Sequence, residues 1–163
     1  NLLNELGVTT NDAVSIILPI LPQTHFAIWG AQAAGISNPI NPLLEAEHIA
    51  EIVTAANAKV VICLAQSEHS DINEKVRAAL SQCASVTTLL EVNIPGLCNP
   101  GAAELSKGNF DILDFDASIA LRDSTSLASG RKFSGEQKAA YFHTGGTTGR
   151  PKLAQLTHAT WHS

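Results

Sequence analysis

From Ala13 to Val92 the sequence alternates between two kinds of segment, and that alternation limits the fold more than any other feature. Residues 59–64, "KVVICL", run apolar without a break, the pattern of a strand buried on both faces. Just before them, Ile49, Ile52, Val53 and Ala56 recur at i, i+3, i+4 and i+7, with Glu45, Glu47 and Glu51 between them. That period predicts an amphipathic helix with its glutamates in water. "SDINEKVRAALSQC" repeats the helical pattern with Ile72, Val76, Ala79 and Leu80, and Ser70 or Asp71 is placed to cap it. "VTTLLEV" (86–92) is the next strand. Upstream, "NLLNELGV" predicts a helix closed at Gly7, and "DAVSIILP" predicts a strand stopped at Pro19. "PQTHFAIWGAQAAG" begins with proline and ends with glycine, as helices do, and its alanines suit close packing on a sheet. "ISNPINP" is a short strand passing into a turn. Strand and helix alternating at this spacing imply βαβ units. The expected fold is α/β: a three-layer α/β/α domain with a largely parallel sheet.

The 163 residues are read as one partial domain in three stretches. Residues 1–92 carry the βα units, 93–137 are an irregular connection, and 138–163 hold a strand, a glycine-rich loop and a truncated following element. Within the connection, "FDILDFDASIALRD" has room for a short helix, and "STSLASGRKFSGEQ" reads as a surface loop. The formal net charge of −5, without a lysine/arginine cluster, argues against nucleic acid as a partner. The apolar stretch 13–36 is interrupted by Pro19, Pro22, Gln23, Thr24 and His25, so no transmembrane segment is expected. Cys63, Cys83 and Cys98 are odd in number and form no CxxC pair, which fits a reducing, cytoplasmic location.

The chemistry concentrates in "HTGGTTGRPK", His143 to Lys152. Glycines let backbone approach a ligand closely, and successive exposed N–H groups form a concave anion site. Thr144, Thr147 and Thr148 add hydroxyl donors, and Arg150 and Lys152 add cations suited to phosphate. Glycines alone would equally make a plain β-turn loop; the threonine pair and the Pro-Lys step weigh against that. Two familiar phosphate loops fail on spacing. In the Walker pattern a glycine follows five residues after the first, but here Arg150 stands there after Gly145 and Pro151 after Gly146. The GxGxxG fingerprint is also absent.

"TGGTTGRPK" closely resembles the signature loop of the adenylate-forming family, which includes acyl-CoA synthetases, luciferases and peptide-synthetase adenylation domains. Thr144, Gly145, Gly146, Thr147, Thr148, Gly149, Pro151 and Lys152 match that pattern. "LGVTTNDAVSIILP", "HFAIWGAQAAGISNPINPLL" and His158 in "LTH" extend the likeness along nearly the whole chain. Departures are His143 in place of an aromatic, Gly145 in place of serine, and "LA" in place of Gly-Val after Lys152. The resemblance implies ATP, Mg2+ and coenzyme A as cofactors or co-substrates and a small-molecule carboxylic acid as substrate. It implies that Thr144, Gly145, Gly146, Thr147, Thr148, Gly149 and Lys152 hold the phosphates that leave as pyrophosphate. It places the adenine pocket, acid pocket, magnesium ligand and catalytic lysine downstream of Ser163, so no catalytic or metal residue is expected here. The chain is then an N-terminal piece of an acyl-CoA synthetase, inactive alone. Its loop and tail, "LTHATWHS" with Thr157 as cap, are expected to be mobile or tied down by self-association with another copy.

Three other readings stay open: a stand-alone nucleotide- or phosphate-binding module, a piece of an amino-acid-activating domain, and an interaction domain whose loop is incidental. His143 and His158 flank the loop and are candidates for ligand contact. Asp111, Asp114 and Asp116 lack calcium-loop spacing and read as a solvated face. His25 and His48 read as structural or exposed, Trp161 as a packing residue, and no Gly-x-Ser-x-Gly elbow occurs.

Overall fold

In the computed structural model of the chain, residues 1–99, 109–144 and 151–161 are described, with Trp161 as backbone only. The elements run α1 (Leu2–Glu5), β1 (Ala13–Ile17), α2 (Pro22–Ala34), β2 (Ile36–Pro39), α3 (Ala46–Ala55), β3 (Ala58–Leu64) and α4 (Ile72–Leu80). They continue with β4 (Thr88–Val92), β5 (Asp111–Asp114), α5 (Phe115–Ala120), β6 (Lys138–Thr144), β7 (Lys152–Thr157) and α6 (His158–Trp161). The strands form one sheet in the order β5-β4-β3-β1-β2-β6-β7. Every neighbouring pair is parallel except β6 and β7.

The expected α/β architecture stands. From β1 the chain steps to β2 on one side, recrosses to β3 on the other, and moves outward to β4 and β5. Parallel connections of this kind are right-handed, so the reversal puts α2 on one face and α3 and α4 on the other. The contacts agree: α3 packs on α4, while α1 packs on α2. Three layers result. Ile49, Ile52 and Val53 of α3 are fully buried, as their spacing requires. Each contributes roughly 1.5–3 kcal/mol of apolar burial. On β3, Val60 to Leu64 are buried on both faces, and the Cys63, Cys83 and Cys98 thiols are free and buried. Burial pushes the Cys63 thiol far above its ordinary range.

Two glycines are fixed for different reasons. Gly7 takes φ +78°, the left-handed conformation that closes α1. Gly35 has an extended backbone, yet a Cβ there would lie 2.4 Å from the Asp12 carbonyl oxygen and 2.7 Å from that of Thr9. Space, not conformation, demands glycine at the α2–β2 junction.

The stretch 93–137 is more regular than its sequence suggests. Within it β5 extends the parallel sheet as an edge strand, and α5 follows directly. Asp114 ends the strand and caps the helix, its Oδ1 accepting the Ala117 N–H at 2.7 Å. Residues 121–137 do run as exposed coil. Arg122 pairs with Glu5 at 2.9 Å, Asn1 bonds the backbone at Asp123, Ser126 and Ala128, and Arg131 reaches the Ala34 carbonyl. After the glycine-rich loop comes a strand, β7, for which the sequence pattern names no element, and the helical turn expected at "LTHATWHS" follows it. The helix, α6, begins six residues after Lys152, with Thr157 at its cap: the Thr157 hydroxyl accepts the Thr160 N–H at 3.3 Å.

Candidate functional site

The carboxyl ends of β1, β2, β3, β4 and β6 share one edge of the sheet, because these strands are parallel. The chain reverses direction around β1, and ligands of open α/β sheets bind at such an edge, beside such a switch point. β6 delivers the glycine-threonine loop there. Thr144 is its last residue, and the antiparallel register sets Thr144 opposite Lys152, the first residue of β7. The loop is therefore the connection of a β-hairpin whose base is locked to the parallel sheet. Gly145, Gly146, Thr147, Thr148 and Gly149 lie outside the described residues, as does Arg150.

Thr144 and Lys152 are both exposed, and the Thr144 hydroxyl donates to the Lys152 carbonyl at 3.3 Å. Among the described residues the Lys152 ammonium has no ion-pair partner. An exposed ammonium and a hydroxyl on opposed residues of the hairpin are donor types that a phosphate accepts. A metal ion is not matched by the same donors. Among the described residues no group of three His, Cys, Asp or Glu side chains is disposed to hold one.

His143 precedes Thr144, and its Nε2 accepts the Asn41 N–H at 3.4 Å. It thus joins β6 to the turn after β2. His158 starts α6, at the far end of β7 from Lys152, with its ring tilted against Phe133 at 5.0 Å between ring centroids. His25 is exposed, with its Nδ1 3.2 Å from the Leu21 carbonyl and its ring beside Trp29. His48 is exposed on α3.

A buried polar group on β1 and β2 was not singled out from the sequence. Ser15, Ser37 and Asn38 are fully buried on β1 and β2. Asn38 Nδ2 donates to Ser15 Oγ at 2.9 Å, while Ser37 Oγ and Asn38 Oδ1 have no hydrogen-bond partner among the described residues. A buried polar atom left without a partner costs about 1–3 kcal/mol. The only hint was the interruption of apolar character by "SN" inside a strand. A second polar cluster lies away from the hairpin. Glu91 Oε1 accepts Arg77 Nη2 at 2.7 Å and Asn73 Nδ2 at 2.8 Å, and Arg77 Nε donates to Asn73 Oδ1 at 2.8 Å. This network locks α4 onto β4 and serves the scaffold.

A doubly wound, mostly parallel α/β sheet with a hydroxyl- and lysine-bearing hairpin at its carboxyl edge sets the class of domain: an open α/β sheet whose ligands bind beyond that edge. Within that class the chain belongs to the AMP-binding enzyme family, whose model matches residues 1–163. It is 34% identical over 158 residues to the marinolic acid–CoA ligase of Pseudoalteromonas sp. (strain SANK 73390), covering 97% of this chain and 22% of the relative. It is 26% identical over 164 residues to a long-chain-fatty-acid–CoA ligase of Mycobacterium tuberculosis, covering 100% of this chain and 28% of the relative. Among solved structures, a Mycobacterium tuberculosis fatty acyl CoA synthetase shares the fold with a TM-score of 0.69 at 20% identity. That likeness covers 99% of this chain and 27% of the other. The chain thus spans about a quarter of the length of the proteins it matches. No helix among the described residues is long and apolar enough to cross a membrane.

Proposed function

We propose that this chain is the phosphate-binding part of an ATP-dependent acyl-CoA synthetase, an acid–CoA ligase that forms AMP. The observation that carries the reading is the placement of Thr144 and Lys152 opposite each other at the carboxyl edge of the sheet. The names of the relatives, CoA ligases of carboxylic acids, support the substrate class. In the proposed reaction a carboxylate oxygen of the substrate attacks the α-phosphorus of ATP. The acyl-oxygen to phosphorus bond forms, the bond from the α-phosphorus to the bridging oxygen breaks, and pyrophosphate leaves. The thiolate sulfur of coenzyme A then attacks the acyl carbon, and AMP leaves with the electron pair of the broken bond.

The work of this chain is to hold the leaving phosphates. Thr144, Thr147, Thr148, Lys152 and the backbone at Gly145, Gly146 and Gly149 are proposed as donors to the β- and γ-phosphates. Their role is electrostatic: donors around the leaving phosphates stabilise the charge that grows on pyrophosphate as it departs. Mg2+, arriving with the nucleotide, neutralises further phosphate charge. No residue here is assigned to proton transfer.

Two experiments test the reading. In the complete ligase, Lys152→Ala removes one charge-assisted donor, and kcat/KM for adenylation should fall roughly 10–150-fold. The thermal midpoint should stay unchanged, because Lys152 is exposed. Undiminished pyrophosphate release in the variant would overturn the phosphate role. Adenylation of amino acids instead of simple carboxylic acids would move the chain to the amino-acid-activating branch. The 163-residue chain alone, given ATP, CoA and a panel of acids, should yield no acyl-CoA. Product from it would overturn the proposal that catalysis needs further residues.

A further inference from the structure

We propose that His143 is a positioning residue whose imidazole Nε2 anchors the end of β6 to the turn after β2, and so fixes where Thr144 and Lys152 stand. The functional part of this inference rests on the reading of that edge as the phosphate site. β6 joins the parallel sheet through one register position, Ser37 opposite Ala140. β2 ends at Pro39, while β6 continues to Thr144. Past that position a side chain links β6 to the turn after β2: the Asn41 N–H donates to His143 Nε2 at 3.4 Å.

The anchor point is itself held firmly. The Ile40 N–H donates to the Ile16 carbonyl at 2.9 Å, which ties the turn to the central strand β1. Within the turn, the Leu43 N–H donates to Asn41 Oδ1 at 3.0 Å and the Leu44 N–H to the Asn41 carbonyl at 3.2 Å. On the other side of β6, Leu153 stands opposite His143, next to the Lys152–Thr144 pair. A displacement of the His143 ring therefore moves both candidate phosphate donors together. The ring nitrogen Nε2 is the acceptor of this bond. An aromatic side chain in the same place fills the space but offers no acceptor in the ring plane. The histidine adds a directional bond that packing alone would not supply.

The test uses two variants of the complete protein. His143→Phe keeps a ring and loses the acceptor, whereas His143→Gln keeps an acceptor oxygen on a flexible stem. Asn41 is exposed, so slow exchange of its amide reports the bond. Loss of one hydrogen bond predicts that His143→Phe speeds Asn41 amide exchange about 3–10-fold and raises the KM for MgATP by a similar factor. His143→Gln should restore both to within about twofold, because an amide oxygen accepts the same N–H. Equal Asn41 exchange in wild type and His143→Phe would overturn the anchor. Equal KM values for the glutamine and phenylalanine variants would overturn its positioning role. Failure of the wild type to adenylate any acid would sink the ligase reading instead, and Asn41 exchange would then decide the anchor by itself.

Discussion

The centre of the sheet and its β6–β7 end are built on opposite plans. β3 is paired along its length on both sides, from Val60 to Leu64 against β4 and from Ala58 to Cys63 against β1, and is buried on both faces. β6 is paired with β7 from Lys138 to Thr144 but meets β2 in register only at Ala140. The first plan makes a scaffold in which each strand depends on partners distant in sequence. The second makes a local unit, a hairpin followed by a capped helical turn, attached at a few points. A local unit can be adjusted around a ligand without unfolding the core, and elements of that kind lie at the low-stability end of a protein. The proposed phosphate contacts sit on the local unit and the bulk of the buried core in the scaffold.

Attacking the scaffold should give the largest stability loss. Gly35→Ala drives a Cβ to within 2.4 Å of the Asp12 carbonyl oxygen, which already accepts the Ile36 N–H at 3.0 Å. Backbone on both sides of the junction must move, so the cost should reach roughly 3 kcal/mol, the upper part of the overpacking range. Urea unfolding checks it, and a loss below about 1 kcal/mol would mean that the junction relaxes freely. The effect should be global, lowering the midpoint reported by every probe together.

A smaller effect is expected from Asp12, in the turn that leads into β1. Burial raises its pKa, but bonds from the Thr9 hydroxyl and amide, both at 2.7 Å, with Lys59 and Arg131 nearby, outweigh this and hold it below the usual carboxylate range. A carboxyl with a lowered folded pKa stabilises the fold above its unfolded value of 3.8. That stabilisation is lost as pH falls through the lower folded value. Asp12→Asn should therefore cost about 1 kcal/mol at neutral pH. The gap to wild type should narrow as pH drops below the unfolded pKa, and close once the wild-type carboxyl is protonated. A gap that stays constant from neutral pH down to about pH 2 would mean that packing, not charge, carries the effect.

How much could be read beforehand follows the same division. The scaffold was legible because burial on both faces leaves an unbroken apolar run such as 59–64, and a helix on a sheet leaves the 49/52/53/56 period. β5 was not legible: its residues Asp111 to Asp114 are an exposed edge, bracketed by acids, with no alternation long enough to register. β7 was hidden for a related reason, since "KLAQLT" is only half-buried along an edge and carries no period-2 pattern. The loop's proposed chemistry was read from residue types alone; of residues 144–152 the structure describes only Thr144, Pro151 and Lys152, at the hairpin's ends. The contact between Asn41 and His143, more than a hundred residues apart, was not legible, because only the fold brings the two together. Ser37 and Asn38 show the limit from the other direction: polar residues within a buried strand mark a special place without saying what it does.

The smallest effect should come from the hairpin's own cap, and it separates the two plans most directly. The Thr157 hydroxyl accepts the Thr160 N–H at 3.3 Å, and the Thr157 N–H donates to Thr160 Oγ1 at 2.9 Å, a reciprocal cap over α6. Thr157→Val keeps the shape and the β-branched side chain that suits β7 but deletes the hydroxyl. Loss of such a cap costs around 1 kcal/mol, about fivefold in the local opening equilibrium. If the β6–β7–α6 unit opens on its own, that cost appears as faster amide exchange at Ala159 and Thr160, while the global urea midpoint stays where it was. If the unit instead unfolds only with the core, the same kilocalorie appears in the midpoint, and exchange on α6 matches that on β3. The second result would erase the contrast between scaffold and hairpin and would assign the stability of the phosphate site to the sheet as a whole.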